Sequence, residues 1–245
     1  QHGNFIDLAN QAQGLANAFP QDKALLNLLG SAFNHLNQAK AAITLLSGAL
    51  RLDKFFIEAQ FNLGIAHQKN RDLANAIASF RKVIQLAPNN SAAHFKLANA
   101  FRANFEFEKA ILHYKKTLVL KPNHAPAHCN LGLSLQAIGE IAQAIRQYQA
   151  ALKINPKFVP AQGNLGNALM LRGEFENAIK AFLKTLKLQP GNYITSLNLG
   201  RAYKENGDFQ AAFDAFSRVI SMQPEFSEAH NDLGLTLYGQ GKLEN

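Results

Sequence analysis

Residues 159–192 read VPAQGNLGNALMLRGEFENAIKAFLKTLKLQPGN, and this 34-residue pattern recurs along most of the chain. The alanine near its middle belongs to a column that repeats at the same interval: Ala42, Ala76, Ala110, Ala144, Ala178 and Ala212. A self-similar period of this length is typical of a stacked array whose units cannot bury their apolar faces alone. The period therefore predicts an all-α solenoid of helix–turn–helix repeats.

Other columns keep the same interval when each repeat is counted from its first residue. In repeat 159–192, leucine stands at position 7 (Leu165), a small residue at position 8 (Gly166), an aromatic residue at position 24 (Phe182) and proline at position 32 (Pro190). Positions 4, 7, 8 and 11 share one stripe of a first helix, and positions 17, 20, 24, 27 and 28 share one stripe of a second. We expect the small residues at positions 8 and 20 to let the two backbones approach closely.

Position 15 should form the turn between the two helices, because glycine tolerates a positive φ there. Glycine occupies it in the later repeats: Gly139, Gly173, Gly207 and Gly241. Asn37, Arg71 and Phe105 replace it in the first three repeats. We therefore expect less regular turns in that part of the chain.

These columns resemble the tetratricopeptide repeat family, which has the same period and the same pattern of Leu-Gly, Ala, aromatic and Pro. The resemblance covers nearly the whole chain and implies a right-handed superhelix of paired antiparallel helices. Position 4 departs from the family, since residues such as Gln60 and His94 stand where tryptophan is frequent.

The repeat boundaries predict a single array over residues 1–245. Residues 1–22 fit the second half of a repeat, with Phe5 and Leu8 on its apolar stripe. Complete repeats follow at 23–56, 57–90, 91–124, 125–158, 159–192 and 193–226, and 227–245 would form the first helix of a truncated repeat. Because neither end supplies a polar capping helix, we expect a fragment of a longer polypeptide.

Composition agrees with a helical array and limits its surroundings. The chain has 245 residues, a net charge of +8 and one cysteine, so an internal disulfide is excluded. It contains no apolar run of about 18 residues and no signal peptide pattern, so we expect no membrane contact and a cytoplasmic location.

The excess positive charge is concentrated on the second helices: Arg51, Arg81, Lys82, Lys115, Lys116, Arg146, Lys153, Lys180, Lys184, Lys187 and Arg218. A solvated outer face explains this pattern, and an acidic partner or nucleic acid is the alternative. Since no aromatic-rich nucleic-acid motif accompanies the charge, we predict no nucleic-acid ligand.

Position 6 carries the most informative column on the opposite, groove-facing stripe of the first helices. It holds asparagine in four repeats, although asparagine is a mediocre helix former: Asn62, Asn130, Asn164 and Asn198. A carboxamide offers both donors and an acceptor, so a row of them can pair with the backbone of an extended peptide. The alternatives are bonds between neighbouring hairpins, or consensus residues on a wet surface.

This asparagine ladder is similar to that of the superhelical domain of the O-linked N-acetylglucosamine transferases. In that family, groove asparagines hold the peptide backbone of protein substrates. The resemblance implies the same role for Asn62, Asn130, Asn164 and Asn198, with Asn99 and Asn167 at position 9 beside them. Lys96 interrupts the ladder in the third complete repeat.

Side chains near the ladder could add specificity. Phe61 and Phe95 at position 5 would anchor ligand side chains if they are exposed, and Arg102 and Arg201 lie on the same stripe. The alternative is that the next hairpin covers position 5.

Reactive constellations are poor. His124 and His128 are four residues apart, but Pro126 lies between them and no third ligand is evident. We find no phosphate loop and no nucleophile motif, so we predict no catalytic residue, no metal site and no cofactor.

The sequence therefore predicts a non-enzymatic module that binds a peptide or an extended protein segment. One alternative is the substrate-recruiting arm of a larger glycosyltransferase or sulfotransferase. Another is a scaffold that forms homo-oligomers through its uncapped terminal helix.

Overall fold

The computed structural model describes residues 11–12 and 14–239, and it divides the chain into two compact units. The N-terminal unit comprises residues 1–122 and the C-terminal unit residues 123–245. Phe5, Leu8, Gly241 and the rest of 240–245 lie outside the described residues. Of the predicted half repeat, residues 11–12 and 14–18 are helical.

After these residues, three helix pairs form the rest of the described N-terminal unit. Their bounds are α1 (Lys23–His35), α2 (Ala39–Leu52), α3 (Ile57–Lys69), α4 (Leu73–Leu86), α5 (Ser91–Ala103) and α6 (Phe107–Leu120). Each first helix packs on its own second helix, α2 packs on α3, and α4 packs on α5. The first helices α1, α3 and α5 also contact one another in sequence.

The C-terminal unit repeats this arrangement. Its helices are α7 (Ala125–Ala137), α8 (Ile141–Ile154), α9 (Val159–Leu171), α10 (Phe175–Leu188), α11 (Tyr193–Glu205), α12 (Phe209–Met222) and α13 (Ser227–Gly239). The first helices α7, α9, α11 and α13 again contact one another in sequence. In each unit the first helices therefore line the side of the stack where successive repeats approach most closely. The predicted all-α class and the helix–turn–helix repeats are confirmed.

The core follows the alanine column. All six alanines at position 20 are fully buried, and so are the large side chains at position 24: Leu46, Phe80, Tyr114, Tyr148, Phe182 and Phe216. Small side chains at positions 3 and 10, such as Ala161 and Ala168, are also fully buried, although the predicted core stripe did not include them. Burying this apolar surface is the main stabilising term of the fold.

Position 8 is small because the ring at position 24 packs directly against it. A Cβ atom on Gly64 would lie 2.6 Å from Cε1 of Phe80, and one on Gly132 would lie 2.6 Å from Cε1 of Tyr148. The position-24 ring, rather than the second-helix backbone, thus occupies the space beside this glycine.

The turns in the first three repeats are as regular as the later ones, so that prediction was wrong. Asn37, Arg71 and Phe105 have φ values of 60°, 60° and 59°, in the left-handed region that Gly139, Gly173 and Gly207 also adopt. All six turns also close with the same hydrogen bond. In each, the backbone N–H of position 16 donates to the carbonyl of position 11, five residues earlier. Examples are Asp72 to His67 and Glu174 to Leu169, at 2.9 and 3.0 Å. Packing of the hairpin therefore imposes the conformation whether or not glycine is present.

Candidate functional site

The position-6 asparagines are half-buried on the first helices. The side chains of Asn62, Asn164 and Asn198 reach back to the preceding repeat. Asn62 Nδ2 donates to Asn27 Oδ1 at 2.9 Å, and Asn198 Nδ2 donates to Asn167 Oδ1 at 3.0 Å. These bonds are of the inter-repeat kind that the sequence left open. A primary amide carries a second N–H and a carbonyl oxygen, so one such bond does not exhaust its hydrogen-bonding capacity.

The other two position-6 asparagines lie in the first part of the C-terminal unit. Asn164 Nδ2 points at Cys129 Sγ, 3.7 Å away, a long contact to a weak acceptor. Asn130 is half-buried at the same position of α7, where its backbone carbonyl accepts a bond from Ser134.

A cavity of about 430 Å³ in the C-terminal unit brings three of the predicted residues together. Asn164, Asn167 and Asn198 contribute amide groups to its wall. The remaining lining is Val159, Pro160, Gly163, Phe182, Thr185, Gln189, Asn192, Ile194 and Thr195. The cavity thus combines apolar surface with several convergent amides, as ligand sites commonly do.

Gly163 opens this cavity. It stands at position 5, and a Cβ atom built there would have only Thr185 Cγ2 nearby, at 4.0 Å. Position 5 holds Phe61, Phe95, Cys129 and Leu197 in other repeats. The residue pattern does not mark Gly163 as a site residue, because it contributes to the cavity through the absence of a side chain.

The corresponding cavity in the N-terminal unit measures about 220 Å³. Its lining includes Phe61 and Asn62, at the positions of Gly163 and Asn164. The Phe61 ring packs edge-on against Phe80, with 5.7 Å between ring centroids. Phe95 lies similarly beside Tyr114 at 6.0 Å, and both phenylalanines are half-buried. Each ring therefore occupies space that is open beside Gly163.

The remaining predicted residues have partners or neighbours within their own unit. Asn99 Oδ1 accepts a 2.6 Å bond from the Tyr114 hydroxyl. Arg201 is held by two acidic residues of α13, through Nε to Asp232 at 2.6 Å and Nη2 to Glu228 at 3.1 Å. The structure thus gives Asn99 a contact within its hairpin and Arg201 a contact with the next first helix, α13.

Positive charge accumulates on the first helices of the N-terminal unit. Burial, followed by the nearby charge of Lys69, lowers the pKa of Lys96 below its usual value. Arg102 is half-buried on the same helix, and its Nε has no hydrogen-bond partner among the described residues. This stretch differs from the amide-lined cavity of the C-terminal unit.

His94 and His128, both at position 4, pack against the second helix of their own repeats. His94 Nδ1 lies 3.1 Å from His113 Nδ1, and His94 Nε2 lies 2.9 Å from the Pro88 carbonyl. In α7 the corresponding His128 Nδ1 lies 2.8 Å from Gln147 Oε1. Burial, then the charges of His94 and Arg81, lower the pKa of His113 to about 4.

The described residues offer neither a cluster of metal ligands nor a membrane-spanning helix. They contain no group of three or more His, Cys, Asp or Glu side chains arranged to hold a metal ion. None of their helices has the length and hydropathy needed to span a bilayer.

The repeat pattern and the fold of the chain both match those of known proteins. A family model described as tetratricopeptide repeat matches residues 61–125, 129–193 and 197–245. The chain belongs to the tetratricopeptide repeat family. Tetratricopeptide repeats generally form non-catalytic modules that bind other proteins. Membership of the family therefore indicates a protein-interaction module. No curated protein sequence matches the chain.

Solved tetratricopeptide repeat structures resemble the chain over most of its length. MamA is 28% identical with a TM-score of 0.64, covering 68% of this chain and 97% of its own. YrrB, a tetratricopeptide repeat protein described as having an unusual peptide-binding site, is 19% identical with a TM-score of 0.67, covering 76% and 96%. PilF of Pseudomonas aeruginosa is 18% identical with a TM-score of 0.73, covering 85% and 95%. The last two likenesses concern the fold.

Proposed function

We propose that this protein binds an extended peptide or protein segment along its first helices, with the Gly163 cavity receiving one ligand side chain. The proposal rests on the difference in the position-5 side chain between repeat 159–192 and the other repeats. Where other repeats place phenylalanine, cysteine or leucine, repeat 159–192 has no side chain, and an amide-lined cavity of about 430 Å³ results.

The asparagines would act on the peptide backbone. The Nδ2 bond from Asn198 to Asn167 fixes the orientation of the Asn198 amide and leaves its Oδ1 as a possible acceptor. A held amide loses less conformational freedom when a ligand binds, which favours affinity. The inter-repeat bond and the ligand role are therefore compatible in one side chain.

The chemistry of the lining suggests the kind of side chain that fits. Val159, Ile194 and Phe182 offer apolar contact, whereas Asn164 and Asn198 offer donors and acceptors. No lining residue is ionisable. We expect a medium-sized uncharged side chain. YrrB, with its described peptide-binding site, has the same fold and makes a peptide ligand reasonable.

The test begins with a random peptide library screened against the purified chain. Gly163→Phe should then weaken binding of the selected peptides by about tenfold or more, because the new ring fills the cavity as Phe61 does in α3. Leu183→Phe is the control, since it places the same ring at an exposed position of the second helix α10 that does not line this cavity. If Gly163→Phe binds every selected peptide as tightly as the control does, the proposed pocket is wrong.

The recruiting arm of a larger enzyme and self-assembly through a terminal helix stay predictions from sequence. Neither has a specific observation in the described residues that favours it over peptide binding. The same holds for a cytoplasmic location and for the absence of nucleic-acid ligands.

A further inference from the structure

A second cavity in the C-terminal unit shares no lining residue with the Gly163 cavity. It measures about 420 Å³ and is formed by α8, α9, α10 and the turn before α10. Its inner surface includes Ile145, Leu169 and Ala181, which are 4%, 6% and 4% exposed. These side chains form an apolar floor, while polar and charged side chains make up the larger part of the exposed lining.

Cationic side chains surround this apolar surface. Arg146, Lys180 and Lys184 line the cavity from α8 and α10 and are exposed to solvent. Within the described part of the chain, none of the three forms an ion pair. Arg172 also lines the cavity, but it pairs with Glu174, the single carboxylate of the lining. Asn177 Nδ2 also donates to Glu174, at 3.1 Å.

The neighbouring repeat provides an internal comparison. At the same place one repeat later, Ser196, Leu199 and Tyr203 stand at the positions of Gln162, Leu165 and Leu169, and the cavity measures about 270 Å³. Asp214 replaces Lys180 there, and Arg218 donates to the Pro190 carbonyl. Its single carboxylate and single guanidinium balance. The larger cavity thus carries a net positive charge that the cavity one repeat later does not.

We propose that this basic cavity on the second-helix side binds an acidic protein segment. One apolar ligand side chain would enter against Ile145, Leu169 and Ala181, and flanking carboxylates would lie near Arg146, Lys180 and Lys184. Charge and apolar surface together favour such a segment over nucleic acid. The lining contains no aromatic side chain on which a base could stack.

The probe is an acetylated, amidated peptide of sequence Glu-Glu-Leu-Glu-Glu carrying a fluorophore, and its anisotropy is measured with the full chain at low salt. Removing three charges as Arg146→Gln, Lys180→Gln and Lys184→Gln should weaken binding by about tenfold. Raising the salt concentration should also weaken binding of the probe to the wild-type chain, because salt screens exposed charges.

The matched control is the triple variant Lys153→Gln, Lys157→Gln and Lys187→Gln. It removes the same charge from exposed positions of the same unit that do not line the cavity. This control should change the affinity less than threefold. An equal loss in both triple variants would overturn the proposal, because it would reduce the effect to net charge.

Two further comparisons isolate the apolar contact and the site. A Glu-Glu-Ser-Glu-Glu probe should bind more weakly than the leucine probe, and equal binding would overturn the apolar anchor. Gly163→Phe should leave the affinity for the leucine probe unchanged, because that residue lines the other cavity. A loss in this variant would contradict the separation of the two sites.

Discussion

The N-terminal and C-terminal units use the same hairpin but differ at several positions of the repeat, among them positions 5 and 15. At position 5, Phe61 and Phe95 fill space in the N-terminal unit, whereas Gly163 leaves a cavity in the C-terminal unit. At position 15, the N-terminal unit forces Asn37, Arg71 and Phe105 into a conformation that glycine adopts in the C-terminal unit. The fold therefore depends on columns that do not vary, and the surface features arise where the columns change.

Of the differences between the two units, the one at position 5 should have the largest effect on the free energy of unfolding. Phe61→Gly removes a half-buried ring that packs on Phe80 and places glycine within a helix, so we expect a loss of about 2–3 kcal/mol. Gly163→Phe should be neutral or slightly stabilising, because the space is open and glycine is unfavourable in a helix.

Urea unfolding followed by circular dichroism measures both variants. Equal destabilisation by the two substitutions would contradict the claim that position 5 is filled in one unit and open in the other. A crystal structure of the Phe61→Gly variant in which the cavity beside position 61 is larger would support this claim directly.

The histidine pair provides a second contrast between the units. The pKa of His113 is lowered to about 4 in the folded chain, so the unfolded chain binds a proton at higher pH than the folded chain does. The free energy of unfolding should therefore fall as the pH drops from about 6.5 towards 4, by about 1–2 kcal/mol after allowance for partial exposure.

His113→Gln reproduces the His128–Gln147 arrangement of the C-terminal unit. Urea midpoints across this pH range should show a shallower decline for the variant than for the wild type. Parallel curves for the two proteins would show that His113 does not contribute.

The turn residues should give the smallest effect. Arg71→Gly should stabilise the chain by about 0.5–1 kcal/mol, because it relieves a left-handed conformation while adding entropy to the unfolded chain. Gly173→Ala should destabilise it by about 1 kcal/mol for the converse reason. Thermal melts of the two variants check the signs. A destabilising Arg71→Gly would mean that the side chain makes a contact worth more than the backbone relief.

The repeat interval predicted the helices well, because alanine at position 20 and the ring at position 24 require one packing solution. It could not predict which atom faces Gly64, since spacing defines a helix face and not the direction of the Phe80 ring. It also missed the turn at Arg71, where hairpin packing overrides residue preference.

The candidate site was predictable only in part. The interval placed Asn164, Asn167 and Asn198 on one side of the first helices, and these three do line one cavity. The bond from Asn198 to Asn167 depends on a side-chain rotamer that no sequence pattern specifies. The cavity beside Gly163 depends on a volume left empty, which is visible only against the neighbouring repeats.

The most direct measurement of the central claim is an NMR titration of the chain with a peptide selected from the library. The side-chain amide signals of Asn164, Asn167 and Asn198 should shift together with the backbone signal of Gly163, whereas Asn62 should shift less because Phe61 fills its cavity. Shifts confined to the second helices, with those three amide signals unchanged, would contradict peptide binding at this site.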